Sequence, residues 1–145
     1  MRRTILLLAG VLLSAVALGS DSPKEYDDRT EYVGIEGTWR LTRIESNGEK
    51  DNSPGNEVIT FLSGTYTNNS GGDTRRGTYR ADPTRKPPHL NLMPSIGPYK
   101  GQTIKKIYQL DGDMLRIGSQ MPISQRTQGF NDPSTYVEIY KRVKK

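Results

Sequence analysis

A single histidine and the absence of cysteine limit the nucleophilic and metal chemistry that this chain can support. A catalytic triad needs histidine as its general base, and a histidine-based metal site needs several imidazole ligands. His89 directly follows Pro87-Pro88 and has no such partners in its neighbourhood of the sequence. We therefore expect His89 to lie at a strand edge without a chemical role, and thiol catalysis and cysteine metal sites are excluded for this sequence.

The acidic residues do not form a recognisable catalytic or metal-binding pattern. Asp111-Gly112-Asp113 resembles the start of a calcium loop, but such a loop needs further oxygen ligands and a closing glutamate. Met114-Leu115-Arg116 follows instead, so the pattern favours a hairpin. Glu45, Glu57 and Glu138 are the candidates for paired-carboxylate catalysis, and nothing in their spacing brings two together. We expect no enzymatic activity, no metal site and no cofactor.

Tyrosine and arginine side chains are the remaining candidates for ligand binding. Inside a barrel, an arginine with tyrosine hydroxyls could hold a carboxylate head group while apolar walls accept the tail. In the alternative, the tyrosines pack at barrel rims and the arginines point to water. Leu115 and Ile117 form the better inward pair, which places Arg116 outside. Tyr79 and Tyr108 are retained as tentative ligand-binding residues. The five strand tyrosines are Tyr66, Tyr79, Tyr108, Tyr136 and Tyr140, with Arg80 and Arg116 among them.

These residues lie on short β-prone runs that are separated by turn residues, and no stretch shows helical periodicity with caps. Asn47-Gly48, Ser63-Gly64 and Asp111-Gly112 are typical hairpin turns, with Asp111-Gly112 the clearest. Two connections exceed hairpin length, Pro94 to Thr103 and Ser119 to Ser134. The eight predicted strands are Thr38–Ser46, Glu57–Leu62, Thr65–Asn68, Gly77–Ala81, His89–Met93, Ile104–Leu110, Asp113–Gly118 and Thr135–Lys141.

Several of the predicted strands alternate between apolar and polar residues, which predicts an antiparallel sheet with one wet side. Leu90 and Leu92 form one apolar face, Leu115 and Ile117 a second. Val137 and Ile139 are expected to form a third, opposite Tyr136, Glu138 and Tyr140. Closing such a meander removes its two aggregation-prone edges. We therefore predict an all-β fold, a small antiparallel eight-stranded barrel over residues 37–143.

The N-terminal segment has the order of regions that is typical of a secretory signal peptide. Met1-Arg2-Arg3 precedes an uncharged, mostly apolar run from Thr4 to Leu18, which is shorter than the ~20 residues that span a bilayer. No cysteine follows the run, which argues against a lipoprotein. We expect a signal peptide over residues 1–19, a flexible acidic leader over 20–36, and a periplasmic or extracellular product that does not span the membrane after cleavage.

The formal net charge is +5, and the basic residues are concentrated in the middle of the chain. Such a stripe could meet an anionic partner, or it could be the solvated exterior of a sheet and its loops. Alternation argues against a single surface, because Arg80, Lys105 and Lys106 cannot all share one sheet face. No nucleic-acid partner is expected. The stripe consists of Arg75, Arg76, Arg80, Arg85, Lys86, Lys100, Lys105 and Lys106.

Gly37-Thr38-Trp39 on the first predicted strand and Lys141-Arg142 on the last resemble the beginning and end of lipocalin-like barrels. That resemblance implies that Trp39 plugs one end of the barrel and that Arg142 packs over its ring as a cation–π pair. The two residues are thus predicted to close the barrel and to tie the chain ends together, without contacting a ligand.

Two longer segments, Gly77 to Leu92 and Ile107 to Ile117 with its Ile-Tyr-Gln-Leu-Asp-Gly-Asp hairpin, extend the resemblance. Together with Gly37-Thr38-Trp39 and Lys141-Arg142-Val143, they resemble a family of uncharacterised exported lipocalin-like domains abundant in planctomycete-type bacteria. The family pattern has an acid at the position of Asn91, a cysteine at that of Gly118 and an Arg-Pro pair at Arg126-Thr127. The resemblance implies fold and export, and it assigns no activity.

The sequence leaves two functions open. One is an exported binding protein that holds a small, partly apolar molecule in the barrel. The other is an interaction module with a filled barrel that contacts a protein or an envelope component through its basic stripe or loops. A hollow apolar interior would favour the first, and a filled interior with the stripe on one face would favour the second. We expect a monomer in either case.

Overall fold

A computed structural model describes residues 34–145, which form nine β-strands and no helix. All paired strands are antiparallel. Each strand pairs with the next along the chain, except that a three-residue second strand pairs only with the end of the first, which pairs in turn with the third. The all-β prediction is confirmed. The strands are β1 Gly37–Ser46, β2 Glu49–Asp51, β3 Val58–Leu62, β4 Thr65–Ser70, β5 Asp73–Asp82, β6 His89–Pro94, β7 Ile104–Asp111, β8 Met114–Ser119 and β9 Tyr136–Arg142.

Pairing of the first strand with the last closes the sheet into an eight-stranded barrel, as predicted. Trp39 lies opposite Arg142 and Leu41 opposite Tyr140. The register then shifts between Leu41 and Arg43, a β-bulge that bends β1. β2 was not predicted and lies outside the eight-strand closure, as an extension of β1 beyond the Asn47-Gly48 turn.

Tight turns join most of the strands, and their backbone conformations explain the residues found there. Ser63 and Gly64 both have positive φ, 46° and 80°, which is the conformation of the predicted two-residue hairpin. In the β7–β8 hairpin Asp111 pairs with Met114. The two turn residues are therefore Gly112 and Asp113, one position later than the predicted Asp111-Gly112.

Bulky side chains fill the half of the barrel where β1 begins and β9 ends. Trp39, Phe61, Leu90 and Leu115 are fully buried there, and the Phe61 and Tyr79 rings meet edge to face at 4.9 Å between centroids. Ile35 is also fully buried. The packed part of the chain therefore begins inside the expected leader of residues 20–36, while the expected signal peptide and the rest of that leader lie outside the described residues.

The last strand has the opposite orientation to the one its pattern suggested. Leu115 lies opposite Tyr140 and Ile117 opposite Glu138, so the inward face of β9 carries Tyr136, Glu138 and Tyr140. Val137 and Ile139 face outward yet are buried. The long loop after β8 explains part of this burial, because its Phe130 packs at Gly118, the residue that pairs with Val137. The predicted inward face of β9 is therefore wrong, since both faces of this strand are covered.

The two ends of the barrel differ. The end where β1 begins and β9 ends is closed by the packed side chains around Trp39. The opposite end is bordered by the β6–β7 loop, residues 95–103, and the β8–β9 loop, residues 120–135. Among residues 34–145, no helix has the length and apolar character needed to cross a membrane.

Candidate functional site

A cavity of about 900 Å³ opens at the end of the barrel opposite Trp39. Inward-facing residues of β3, β6, β7 and β8 supply its apolar wall: Ile59, Leu92, Ile104 and Ile117. Both long loops border the opening, the β6–β7 loop with Ile96 to Tyr99 and the β8–β9 loop with Met121 and Ile123. The two connections that the sequence marked as unusually long therefore form the mouth of the cavity.

An ion pair lies on the cavity wall. Lys106 on β7 and Glu138 on β9 face inward, with 3.0 Å between Nζ and Oε2, and each side chain is only 15% exposed. Taking two charges out of water is costly unless they pair closely. The pair is therefore a fixed polar feature in an otherwise largely apolar wall.

A second polar group surrounds the carboxylate of Glu57, next to the same wall. Tyr140 donates its hydroxyl to Glu57 Oε1 at 2.7 Å, and Asn68 Nδ2 donates to the same oxygen at 3.0 Å. Burial, followed by the charges of Glu138 and Glu57, raises the pKa of Tyr140 well above its usual value. Tyr140 therefore stays a neutral hydrogen-bond donor over the whole physiological pH range.

Near the opening the wall becomes more exposed and carries a cation. Arg75 on β5 lines the cavity and makes no ion pair with a residue of the described chain, and Asp73 lies two residues before it on the same strand. Tyr66 on the neighbouring strand has its pKa raised by burial, an effect that Arg75 partly offsets. Charged groups thus lie both at the mouth and deeper on the wall.

The sequence candidates for ligand binding, Tyr79 and Tyr108, do not line this cavity. Tyr79 is 1% exposed and packs against Phe61 in the closed half, and Tyr108 is 7% exposed in the same core. The tyrosines on the cavity wall are Tyr66, Tyr99, Tyr136 and Tyr140. The long loops were the sequence signal for the mouth, but the polar residues of the wall had no such signal.

Trp39 and Arg142 meet at the closed end and have no contact with the cavity. The Arg142 guanidinium lies 4.0 Å from the centroid of the Trp39 ring. Trp39 Nε1 donates to the Ile35 carbonyl at 2.9 Å, and Arg142 donates to the Glu36 carbonyl at 2.7 Å. The stacking that the resemblance implied is present, and it holds the first and last strands together.

The basic stripe is divided between the inside and the outside of the barrel. Lys106 faces the cavity while Lys105, its neighbour, is exposed. Arg85 pairs with Asp82 at 3.1 Å in the loop at the closed end. Outside the stripe, Arg116 faces outward as expected and lies over the Phe130 ring at 4.5 Å. No single face gathers the stripe.

The β8–β9 loop is fixed to the outside of the barrel by Arg126. Its guanidinium donates to the Lys106 and Leu90 carbonyls and to Asn91 Oδ1. Burial lowers the pKa of Arg126. The side chains of Arg126 and Asn91 are in direct contact. The β8–β9 loop, which borders the cavity, is therefore held against β6 and β7 by the Arg126 side chain.

His89 lies away from the cavity, on the outer face of β6 opposite Ile107 and Asp82. Burial lowers its pKa, and the charges of Arg126 and Arg85 add to the effect. In the described part of the chain, no three His, Cys, Asp or Glu side chains lie close enough together to hold a metal ion.

No protein-family model matches this chain, and no match to a curated protein or to a solved structure was found.

Proposed function

We propose that this chain is an exported, non-enzymatic binding protein whose barrel holds a small, partly apolar molecule. The cavity that opens between the two long loops carries this proposal. Its volume of about 900 Å³ lies within the range of roughly 300–1,000 Å³ that is usual for small-molecule sites. A barrel of eight strands has room for one small ligand when its side chains do not fill it.

The residues of the wall support a ligand with an apolar body and at least one polar group. Ile59, Leu92 and Ile117 offer apolar contact along the barrel axis. Lys106 and Glu138 offer a donor and an acceptor that are already held in place by each other. A few fixed polar groups in a mostly apolar pocket give orientation and specificity.

The rival function needed a filled barrel and basic residues gathered on one face. The cavity in the open half of the barrel argues against a filled interior, and the inward position of Lys106 argues against a single basic face. Export is supported by the order of basic, apolar and small residues in positions 1–19. N-terminal sequencing of the protein from its own cells tests this part, and an intact Met1 on a cytoplasmic product would contradict it.

Native mass spectrometry of protein purified from its own cell envelope tests the ligand directly, through the mass of a co-purifying molecule. A fluorescent naphthylamine that brightens in apolar surroundings provides a second readout. Leu92→Trp replaces an aliphatic side chain on the cavity wall with a larger indole ring. The variant should take up about tenfold less probe, or even less, because the indole fills space that the probe needs.

Leu62→Trp is the matched control, since Leu62 is 62% exposed at the closed end. Its probe uptake should equal that of the unchanged protein. Equal uptake by the Leu92 variant and the unchanged protein, with both folded, would contradict binding in the barrel.

A further inference from the structure

Exposed apolar side chains are concentrated at the mouth of the cavity. Seven large hydrophobic residues of the described chain are exposed, and four of them line the opening. We call these four the rim: Ile96, Tyr99, Met121 and Tyr136, with exposed fractions of 37%, 40%, 73% and 39%. Single exposed hydrophobic residues are ordinary, but a group around an opening marks an interaction site.

The loops that carry the rim are held in place. Ser95 donates its backbone N–H and its hydroxyl to the Arg76 carbonyl at 2.9 and 3.0 Å. Lys105 donates its backbone N–H to the Ile123 carbonyl at 2.9 Å, which fixes the second loop near Met121. The rim is thus presented by ordered backbone and not by a segment that must fold on contact.

Charge beside the rim is positive on one side. Lys100 follows Tyr99 directly and is exposed, and Arg75 and Arg76 are exposed on the strand to which the same loop is bonded. Asp73 is the acid on that side. On the other side, burial raises the pKa of Tyr136, and the negative charges of Glu138, Glu57 and Asp51 add to the effect. The basic side of the mouth is therefore the side of the β6–β7 loop.

We propose that the rim docks on the surface of an anionic bilayer, with the β6–β7 loop and Met121 leading, so that the cavity takes its ligand from the membrane. Apolar side chains that enter the interface next to basic residues are the combination by which proteins bind anionic membranes. The ligand is then an amphiphile that partitions into lipid. This inference rests on the proposed function only for the assumption that the cavity accepts such a molecule.

A protein partner of ordinary size fits the rim less well. Taking about 200 Å² for a large side chain, the four exposed fractions amount to about 400 Å² of apolar surface. A stable interface buries roughly 800 Å² on each partner. A bilayer needs no such matched area, and it offers a continuous apolar phase at the opening. A second copy of this chain remains an outcome that the test distinguishes.

The absence of cysteine makes a site-specific test direct, because one introduced thiol is a unique labelling site. Met121→Cys on the rim and Leu62→Cys at the closed end are each labelled with a polarity-sensitive fluorophore in the full chain. The labelled proteins are mixed with vesicles of equal parts phosphatidylcholine and phosphatidylglycerol, and with vesicles of phosphatidylcholine alone. Both labelled proteins are first checked for β-structure by circular dichroism.

The label at residue 121 should move to shorter wavelength and brighten several-fold with the anionic vesicles, and less with phosphatidylcholine alone. The label at residue 62 should not change. Binding to vesicles through the apolar run of residues 4–18 is distinguished by the same measurement, because it would not bring residue 121 selectively into lipid.

Lys100→Gln should weaken the response about fivefold, the factor expected for one basic residue near an anionic surface. Arg85→Gln, at the closed end, should leave it unchanged.

Equal responses at residues 62 and 121, or no response at 121, would overturn the docking. A response at 121 that grows with protein concentration in the absence of vesicles would show contact between two copies and would overturn it as well. Uptake of the naphthylamine probe separates this result from the proposed function. Without a vesicle response, continued probe uptake leaves ligand binding standing while docking falls.

Discussion

At the scale of single residues, each charged group that lies deep on the largely apolar cavity wall has a close polar partner. Lys106 and Glu138 are each 15% exposed and pair at 3.0 Å, so neither charge is left alone in the low-dielectric interior. Tyr140 and Asn68 satisfy Glu57 in the same way. These contacts direct polar atoms toward one another along the wall, and the space along the axis stays open.

His89 allows a prediction about pH, because it is the only histidine in the chain. Its pKa in the folded protein lies below the ordinary 6.5, mainly through burial. Between the two values the unfolded chain binds more protons than the folded one, so the free energy of unfolding falls as the pH falls. This loss begins as the pH drops below about 7 and levels off below the pKa of the folded state.

Urea unfolding of the protein and of a His89→Gln variant at about pH 7 and about pH 5 measures the effect. The variant should lose less stability between the two conditions. The carboxyl groups of Asp82, Asp113 and Asp132 do not affect this comparison. Their pKa values are lowered in the folded protein, so the stability that they contribute is lost only as the pH falls below their ordinary 3.8. Identical losses in the two proteins would contradict the prediction.

At the scale of the elements, the close approach of β5 and β6 depends on Gly77. A Cβ built on this residue would lie 2.1 Å from the Met93 carbonyl oxygen, a backbone atom that cannot turn aside. Gly77→Ala should therefore force the two strands apart and lower the free energy of unfolding by about 3 kcal/mol or more.

Gly129→Ala is the matched control for this substitution. Nothing lies within 4 Å of a Cβ at Gly129, and its backbone is not in the left-handed region. Unfolding in urea should show little change for this variant. A stability of the Gly77 variant equal to that of the Gly129 variant would mean that β5 can shift without cost.

Strand positions were predictable from the sequence because turn residues and β-prone runs are local signals. Leu90 with Leu92 and Leu115 with Ile117 were expected to form inward pairs, and both pairs do so. The prediction for β9 was wrong because alternation shows which face of a strand is apolar, but it does not show that a distant loop covers the outer face. Val137 and Ile139 are buried from the outside, so the polar alternates Tyr136 and Glu138 face the interior.

The candidate site was less predictable for a related reason. Glu138 and Lys106 lie on different strands, and their pairing depends on a register that no local pattern contains. A tyrosine on an inward face can be packed in the core, as Tyr79 is, or line the cavity, as Tyr66 does. Which of the two occurs depends on how distant strands pair, and no local pattern in the sequence contains that information.

At the scale of the whole molecule, the two ends of the barrel have different tasks. The closed end joins the first and last strands, where Val143 donates its backbone N–H to the Thr38 carbonyl at 2.8 Å and Arg142 stacks on Trp39. The open end has the cavity and the exposed rim. The residues that stabilise the fold are thus separated in space from those proposed to bind.

Trp39→Ala tests this division, because Trp39 is fully buried at the closed end and absent from the cavity wall. Loss of its side chain should lower the free energy of unfolding by about 3–5 kcal/mol. A second variant, Arg142→Ala, removes the other half of the stack. In the double variant the losses should fall short of the sum of the single ones by about 1 kcal/mol, since both remove the same contact.

Urea unfolding gives the stabilities, with Leu62→Ala as the exposed control at the same end of the barrel. Under conditions where the Trp39 variant is still folded, its uptake of the naphthylamine probe should match that of the unchanged protein, because no cavity contact has been removed. A loss of less than about 1 kcal/mol would contradict the closing role of Trp39. Weaker probe uptake by the folded variant would instead show that the closed end shapes the cavity.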